Sequence, residues 1–184
     1  MVEILTRPAS PYIKQSGFSL IELMITLAVA SILLSVGTPS FVTFMQDSRL
    51  TTQSHTLRTS LSLARDEAVK RATSVSVCPS NDQQTCSGNW LNGWIIFNDE
   101  DEDGVVDSGD GDAVIRVFPA LTGGNTLTYS DADNYVGYDY EGFLYSGVTG
   151  TFSLCDSRGV TEARGVELVL TGRSRSVIAG LNCP

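Results

Sequence analysis

An almost unbroken run of apolar residues, from Phe18 to Val36, constrains this chain more than any other part of its sequence. A run of about 20 apolar residues is long enough to cross the hydrocarbon core of a bilayer as a helix. The run holds one charged residue, Glu22, close to its start. A carboxylate at membrane depth costs about 3 kcal/mol, so such residues usually have a function and a partner. We therefore predict a transmembrane helix over residues 18–37 in which Glu22 has a functional role.

The residues before this run do not have the order of an ordinary secretory signal. Such a signal places its small-residue cleavage site after the apolar segment. Here the small residue, Gly17, comes before the apolar segment, and polar residues such as Lys14 and Gln15 precede it. Cleavage at Gly17 would leave the apolar helix at the N-terminus of the mature protein.

This segment resembles the class III, or prepilin-type, leader of type IV pilins and type II secretion pseudopilins. The resemblance rests on Gly17-Phe18-Ser19-Leu20-Ile21-Glu22. It implies that a prepilin peptidase in the inner membrane removes the leader, residues 1–17, and N-methylates Phe18. It also implies that Glu22 neutralises the α-amino group of Phe18 in a neighbouring subunit, a pairing that two charges in an apolar fibre core require. The alternative is a plain single-pass anchor with an isolated glutamate.

The charge of the chain limits its partners. The net charge of -9 excludes a general nucleic-acid binder, because phosphate neutralisation needs Lys and Arg, and any DNA role would need a local basic patch. Arg7 and Lys14 precede the apolar run, which predicts a cytoplasmic N-terminal end and a periplasmic C-terminal domain. No nucleophile–base pair, phosphate loop or paired-carboxylate cleft is visible, so we expect neither an enzyme nor a small-molecule substrate.

Four cysteines follow the apolar run, on the side where the oxidising periplasm is expected. Four cysteines allow three pairings, and closeness in sequence favours Cys78–Cys86 and Cys155–Cys183. A zinc site is the alternative. It is disfavoured because no Cys-x-x-Cys spacing occurs and His55 is the only histidine in the sequence.

The helical pattern continues beyond the apolar run. Gly37, Thr38 and Pro39 predict a kink or local melting near residues 35–39, because proline removes a backbone donor. Helical periodicity then resumes over residues 38–72, an amphipathic extension of the first helix. Its apolar stripe consists of Leu57, Leu61, Ala64 and Ala68.

Residues 73–184 have the alternating pattern of β-strands and form one domain. Short strands are predicted at 74–78, 93–97, 113–118, 126–129, 135–145, 151–155, 165–170 and 176–179. Trp90 and Trp94 are expected in the core of this domain. One long helix followed by about eight strands predicts an α+β fold, a transmembrane helix packed on a mostly antiparallel β head.

The head also resembles the soluble domain of the GspH/FimT family of minor pilins and pseudopilins. The matching segments are Cys78-Pro79-Ser80, Gly93-Trp94-Ile95-Ile96-Phe97, Cys155-Asp156-Ser157-Arg158-Gly159, Ala163-Arg164-Gly165-Val166-Glu167-Leu168 and Thr171-Gly172-Arg173. The resemblance implies a structural subunit whose partners are other pilins or pseudopilins. It implies an inner-membrane precursor that later joins a fibre.

An acidic loop between two predicted strands has the spacing of a calcium-binding loop. Aspartates occupy positions 1, 3, 5, 9 and 12 of such a loop, and a glycine occupies position 6. The aspartates are Asp99, Asp101, Asp103, Asp107 and Asp110, and the glycine is Gly104. The final ligand is usually glutamate, and no helix pair flanks the loop. The alternative is a solvated acidic hairpin, without any cofactor.

Gly172-Arg173-Ser174-Arg175 resembles a motif through which some FimT proteins bind DNA for natural transformation. Arg173 and Arg175 would point the same way on an extended segment and could contact phosphates, with Arg158 and Arg164 nearby. The alternative is a pair of surface or ion-paired arginines. Three functions therefore compete: a minor type IV pilin that helps to initiate assembly, the H-type pseudopilin of a type II secretion system, and a DNA-binding minor pilin.

Overall fold

The computed structural model describes residues 17–107, 109, 111–130, 134–145 and 149–184. Residues 1–16 of the predicted leader therefore lie outside the described residues. The chain divides into two compact units, Met1–Val42 and Thr43–Pro184. One helix, α1 (Leu20–Arg71), runs through both units.

The first unit contains the predicted apolar helix. The side chains of residues 20–35 are exposed, and within the described residues α1 is the one helix long and apolar enough to cross a membrane. The hydroxyls of Thr26, Ser31 and Ser35 donate to backbone carbonyls three residues earlier, at 2.9, 2.8 and 2.8 Å. These hydroxyls are therefore satisfied inside the helix and need no polar surroundings.

Of the predicted kink or local melting near residues 35–39, the melting does not occur, because α1 stays helical through Pro39. Melting would free several backbone groups, and next to an apolar segment they would have no partners. Thr38 Oγ1 donates to the carbonyl of Leu34, in the turn that precedes the proline. Pro39 thus removes one backbone donor without ending the helix.

The second half of α1 packs its predicted stripe into the head. Leu57, Leu61, Ala64 and Ala68 are all buried, and Leu50 extends the stripe by two turns. The helix ends at Arg71, because Ala72 takes a left-handed conformation (φ 54°) and the N–H of Thr73 donates to the carbonyl of Ala68 at 3.3 Å. This is the hydrogen-bond pattern of a Schellman cap.

The head contains two four-stranded antiparallel sheets. The first has the order β3-β2-β1-β5, and the second has the order β4-β6-β7-β8. The strands are β1 (Val75–Pro79), β2 (Gly93–Asn98), β3 (Ala113–Pro119), β4 (Thr126–Tyr129), β5 (Val136–Tyr138), β6 (Thr151–Cys155), β7 (Arg164–Leu168) and β8 (Ser174–Val177). The α+β fold with antiparallel sheets is therefore as predicted, and most strand positions agree within two residues.

The predicted strand at 135–145 is much shorter in the structure. β5 ends at Tyr138, and the chain then turns so that Leu144 pairs with Tyr138 as an isolated bridge. Asp139 causes this turn, because its Oδ1 accepts the N–H groups of Glu141 and Phe143, each at 2.9 Å. An aspartate that binds its own backbone in this way competes with continued strand pairing.

Strands β1 and β2 are buried on both faces. One face, with Val77, Trp94 and Ile96, joins the main core together with the stripe of α1. The other face, with Ile95 and Phe97, forms a second cluster. Partly buried side chains, including Val106 of the β2–β3 loop, pack against that cluster. The acidic β2–β3 loop is therefore part of the covering of the first sheet.

Candidate functional site

The predicted processing motif lies at the exposed start of α1. Phe18 is 82% exposed and directly precedes Ser19, the residue that caps the helix. The N–H of Glu22 donates to Ser19 Oγ at 3.2 Å, and the N–H of Leu23 donates to the Ser19 carbonyl at 3.1 Å. Ser19 and Glu22 thus have the Ser-x-x-Glu spacing of a capping box, a signal that the sequence analysis missed.

Glu22 lies in the first turn of α1, where the helix dipole favours a negative charge. Among the described residues its carboxylate forms no ion pair. Its side chain is exposed together with those of the apolar residues around it. A cationic partner from outside the chain, such as an α-amino group, could therefore reach this carboxylate without displacing another contact.

The second candidate site is the acidic β2–β3 loop. One carboxylate oxygen from each of Asp99, Asp101 and Asp103 lies within 4.8 Å of one from each of the other two. Asp107 is not part of this cluster, and Asp110 lies outside the described residues. The structure therefore brings together three of the five aspartates that the calcium spacing predicted.

Asp99 differs from the other two aspartates because it is fully buried. Its Oδ2 accepts the hydroxyl of Tyr145 at 2.6 Å and the N–H of Gly104 at 3.2 Å. Burial, followed by this hydrogen bond, raises the pKa of the Tyr145 hydroxyl, which therefore stays protonated and donating. Burial and the neighbouring charges of Asp99 and Asp107 also raise the pKa of Asp112, against the lowering effect of two backbone hydrogen bonds.

The third candidate site is the predicted DNA motif at the start of β8. Arg175 Nε lies 2.6 Å from Glu167 Oε2, in register across β7 and β8. This ion pair lowers the pKa of Glu167 and raises the pKa of Arg175. Arg173 is exposed and has no ion pair among the described residues. One of the two predicted phosphate contacts is thus already paired with a carboxylate of its own chain.

Arg158, which was expected near this motif, is bound by two carboxylates of its own chain. Its guanidinium contacts Asp156 at 2.7 Å and Asp47 of α1 at 2.8 Å. Arg164 instead lines a cleft between α1 and β8, together with Arg58 and Ser176. His55 also lines this cleft, and its Nδ1 lies 3.3 Å from Thr59 Oγ1.

Both disulfides are present, and they are the pairs that closeness in sequence favoured. Cys78 is bonded to Cys86, with 5.5 Å between their Cα atoms, and Cys155 is bonded to Cys183, with 5.9 Å. The first closes the loop after β1, and the second fastens the segment after β8 to β6. Among the described residues no cysteine remains free for a metal.

The family of the chain follows from its sequence and this architecture. A family model for the type II transport protein GspH matches residues 53–172, and a model for the prokaryotic N-terminal methylation motif matches residues 13–38. The long helix, the antiparallel head and the methylation motif define a pilin-like subunit, and the chain belongs to the GspH family. No curated protein matches the sequence.

Two solved structures of one minor pilin support the same fold, and a third structure is similar at a lower score. The type IV minor pilin FimU of Pseudomonas aeruginosa (strain PAO1) is 23% identical, with a TM-score of 0.54 over 72% of this chain and 90% of the FimU chain. A second crystal form of FimU gives the same TM-score over 69% of this chain and 91% of that one. The minor pseudopilin EpsH from the type 2 secretion system of Vibrio cholerae is 14% identical, with a TM-score of 0.45 over 72% of this chain and 98% of EpsH.

Proposed function

We propose that this protein is a minor type IV pilin, a low-abundance structural subunit that helps to initiate pilus assembly. A prepilin peptidase of the inner membrane cleaves after Gly17 and methylates Phe18. The apolar helix then passes from the membrane into the core of a fibre made with other pilins. In this proposal the head faces the periplasm before assembly, and the protein is a substrate of an enzyme and not an enzyme itself.

The observation that carries the proposal is the exposed start of α1. Phe18 is 82% exposed, and an apolar helix follows whose side chains at residues 20–35 contact no core of their own. Such a helix needs lipid or other apolar helices around it. Glu22 supplies a carboxylate that can pair with a neighbour's α-amino group in those surroundings, and pairing removes most of the cost of burying both charges. The two disulfides also suit a subunit exposed outside the cell.

Mass spectrometry of fibres sheared from the cell surface tests this proposal. The expected result is a peptide that begins with N-methylated Phe18, in fibres that contain a major pilin. A protein whose N-terminus retains the residues before Phe18 in both membrane and fibre fractions would contradict it. A variant with Gly17→Leu is the matched control, and we expect it to remain uncleaved and absent from fibres.

The H-type pseudopilin of a type II secretion system is the second candidate. The match of residues 53–172 to the type II transport protein family favours it. The same experiment separates the two candidates. If the protein is a pseudopilin, the methylated peptide should occur only in the cell envelope. Deletion of its gene should then block the export of folded proteins and leave surface pili intact.

DNA binding through Arg173 and Arg175 stays a prediction of the sequence. The ion pair of Arg175 with Glu167 reduces the charge available for phosphate. A gel shift at moderate salt measures DNA binding by the unaltered protein and by the double variant Arg173→Gln with Arg175→Gln. Binding that the double variant abolishes would support a DNA-binding pilin, and binding that it leaves unchanged would contradict one.

A further inference from the structure

The β2–β3 loop concentrates negative charge in a way that needs compensation. Residues 99–112 contain eight acidic side chains and no lysine, arginine, histidine or cysteine. Like charges at such spacing repel one another, and the repulsion grows where the side chains are withdrawn from water. Yet this loop is folded against the second hydrophobic cluster through Val106.

The three aspartates that converge have the geometry of ligands to one ion. A carboxylate oxygen from each of Asp99, Asp101 and Asp103 lies within 4.8 Å of the others. Oxygen ligands lie about 2.3–2.6 Å from calcium, so two oxygens on one ion are separated by at most about 5 Å. Gly104 makes the turn possible, because its φ is +75° and a Cβ there would lie 2.7 Å from the Tyr135 ring.

A second, independent observation points to a ligand. Asp99 is 0% exposed, and its Oδ1 has no hydrogen-bond partner among the described residues, whereas Oδ2 is occupied by Tyr145 and Gly104. A buried carboxylate oxygen without a partner costs free energy that a bound cation would remove. Asp101 and Asp103 are exposed beside it, so water can complete the coordination of an ion.

We propose that the β2–β3 loop binds a calcium ion through Asp99, Asp101 and Asp103, and that the ion fixes this loop over the first sheet. Ligands that are all oxygen suit a hard cation, whereas zinc and copper sites usually include imidazole or thiolate. Calcium is preferred to magnesium because it accepts an irregular set of carboxylates and water, whereas magnesium requires a near-ideal octahedron.

The bound ion would also stabilise contacts between the β2–β3 loop and neighbouring parts of the head. Asp99 accepts from Tyr145, whose hydroxyl also lies 2.7 Å from Ser76 Oγ on β1. Glu102, between two of the ligands, accepts from Ser74 Oγ at 2.6 Å. Calcium therefore links the β2–β3 loop to the start of β1 and to the segment that follows β5.

Calcium titration of the full chain in detergent micelles tests the proposal, with direct binding measured by calorimetry and unfolding measured by circular dichroism. At the affinity of extracellular calcium modules, 10 mM calcium should raise the Tm of the head by about 5–10 °C above a chelator control. Magnesium at the same concentration should raise it much less. No binding heat and no shift in Tm would overturn the proposal, and so would an equal effect of magnesium.

Matched variants separate coordination from general attraction to negative charge. Asp101→Asn with Asp103→Asn alters two exposed ligands and leaves buried Asp99 in place, so we expect the chelator-treated Tm to be kept and the calcium increment to be lost. Glu100→Gln removes one charge from the same loop outside the cluster, and we expect the increment to be retained. Loss of the increment in Glu100→Gln, or its survival in the double variant, would contradict the site.

Discussion

Arg158 connects two segments that are far apart in sequence. Its guanidinium contacts Asp47 on α1 and Asp156 just after β6, and the Asp156 side chain is only 4% exposed. The hydrogen bond from Arg158 is the largest cause that lowers the pKa of Asp156, and it outweighs the raising effect of burial. The carboxylate is thus held in its charged form by a partner that is itself held by α1.

This arrangement predicts a specific loss of stability in acid. Because the pKa of Asp156 is lower in the folded state, its contribution is fully present above the unfolded value of about 3.9 and is lost as the pH falls through the folded value. Asp156→Asn should reduce the free energy of unfolding by about 1–3 kcal/mol at pH 7, and by much less below pH 3. Urea denaturation at about pH 7, 5 and 2 measures both values.

Asp66→Asn, at an exposed position of α1, is the control for the change in charge alone. It should change the free energy of unfolding by less than about 0.5 kcal/mol. A deficit of Asp156→Asn that is the same at pH 7 and below pH 3 would show that the ion pair is not its cause.

Ser60 is a polar residue in the buried face of α1. Its Oγ accepts the indole N–H of Trp94 at 2.9 Å and donates to the carbonyl of Leu57 at 2.7 Å. Ser60→Ala leaves the buried Trp94 N–H without a partner, so the free energy of unfolding should fall by about 1–3 kcal/mol. Chemical denaturation measures this cost. The control variant is Ser62→Ala, because Ser62 is an exposed serine of the same helix. Equal stability of the two variants would contradict it.

At the scale of elements, the two disulfides should stabilise the head by different amounts. They close loops with sequence separations of 8 residues for Cys78–Cys86 and 28 residues for Cys155–Cys183. Loop-closure entropy predicts losses of about 2.5 and about 3.5 kcal/mol when the first and second bonds are removed. Denaturation of the paired Cys→Ser variants measures the two losses. A larger loss for the short loop would show that strain or packing, and not chain entropy, decides the ranking.

The elements themselves could largely be predicted from the sequence. The stripe from Leu57 to Ala68 follows helical spacing, and the strands follow alternation, because burial of one face imposes those periods. The strand at 135–145 could not be predicted correctly, since Asp139 can bind either water or its own backbone and only the fold selects the second. The melting predicted at Pro39 failed for a similar reason, because an apolar environment raises the cost of melting a helix.

The candidate sites could be predicted only where their residues are close in sequence. The motif from Gly17 to Glu22 and the aspartates at 99, 101 and 103 are local patterns. The contact of Tyr145 with Asp99 joins residues 46 apart, and that of Arg158 with Asp47 joins residues 111 apart. No sequence period indicates such pairs, because they depend on how two sheets and a helix pack.

At the scale of the whole molecule, Glu22 should decide assembly and not folding. The helix cap uses the backbone N–H of Glu22, so Glu22→Gln keeps the cap and removes only the charge. We expect this variant to be cleaved normally and to enter fibres at least about tenfold less, since a neighbour's α-amino group would be buried without its partner. Immunoblots of membrane and fibre fractions measure both steps. Glu22→Asp, which keeps the charge, should be less defective, and normal incorporation of Glu22→Gln would contradict the role.

The hydroxyls of α1 bear on how such a helix can change its surroundings. Thr26, Ser31, Ser35 and Thr38 each donate to a carbonyl of their own helix. A helix that moves from one apolar medium to another therefore breaks no hydrogen bond and recruits none from its new neighbours. Exchange of the helix between lipid and a bundle of helices then depends on side-chain packing and on the charge of Glu22. The hydroxyls of the segment therefore favour neither lipid nor a bundle of helices as its surroundings.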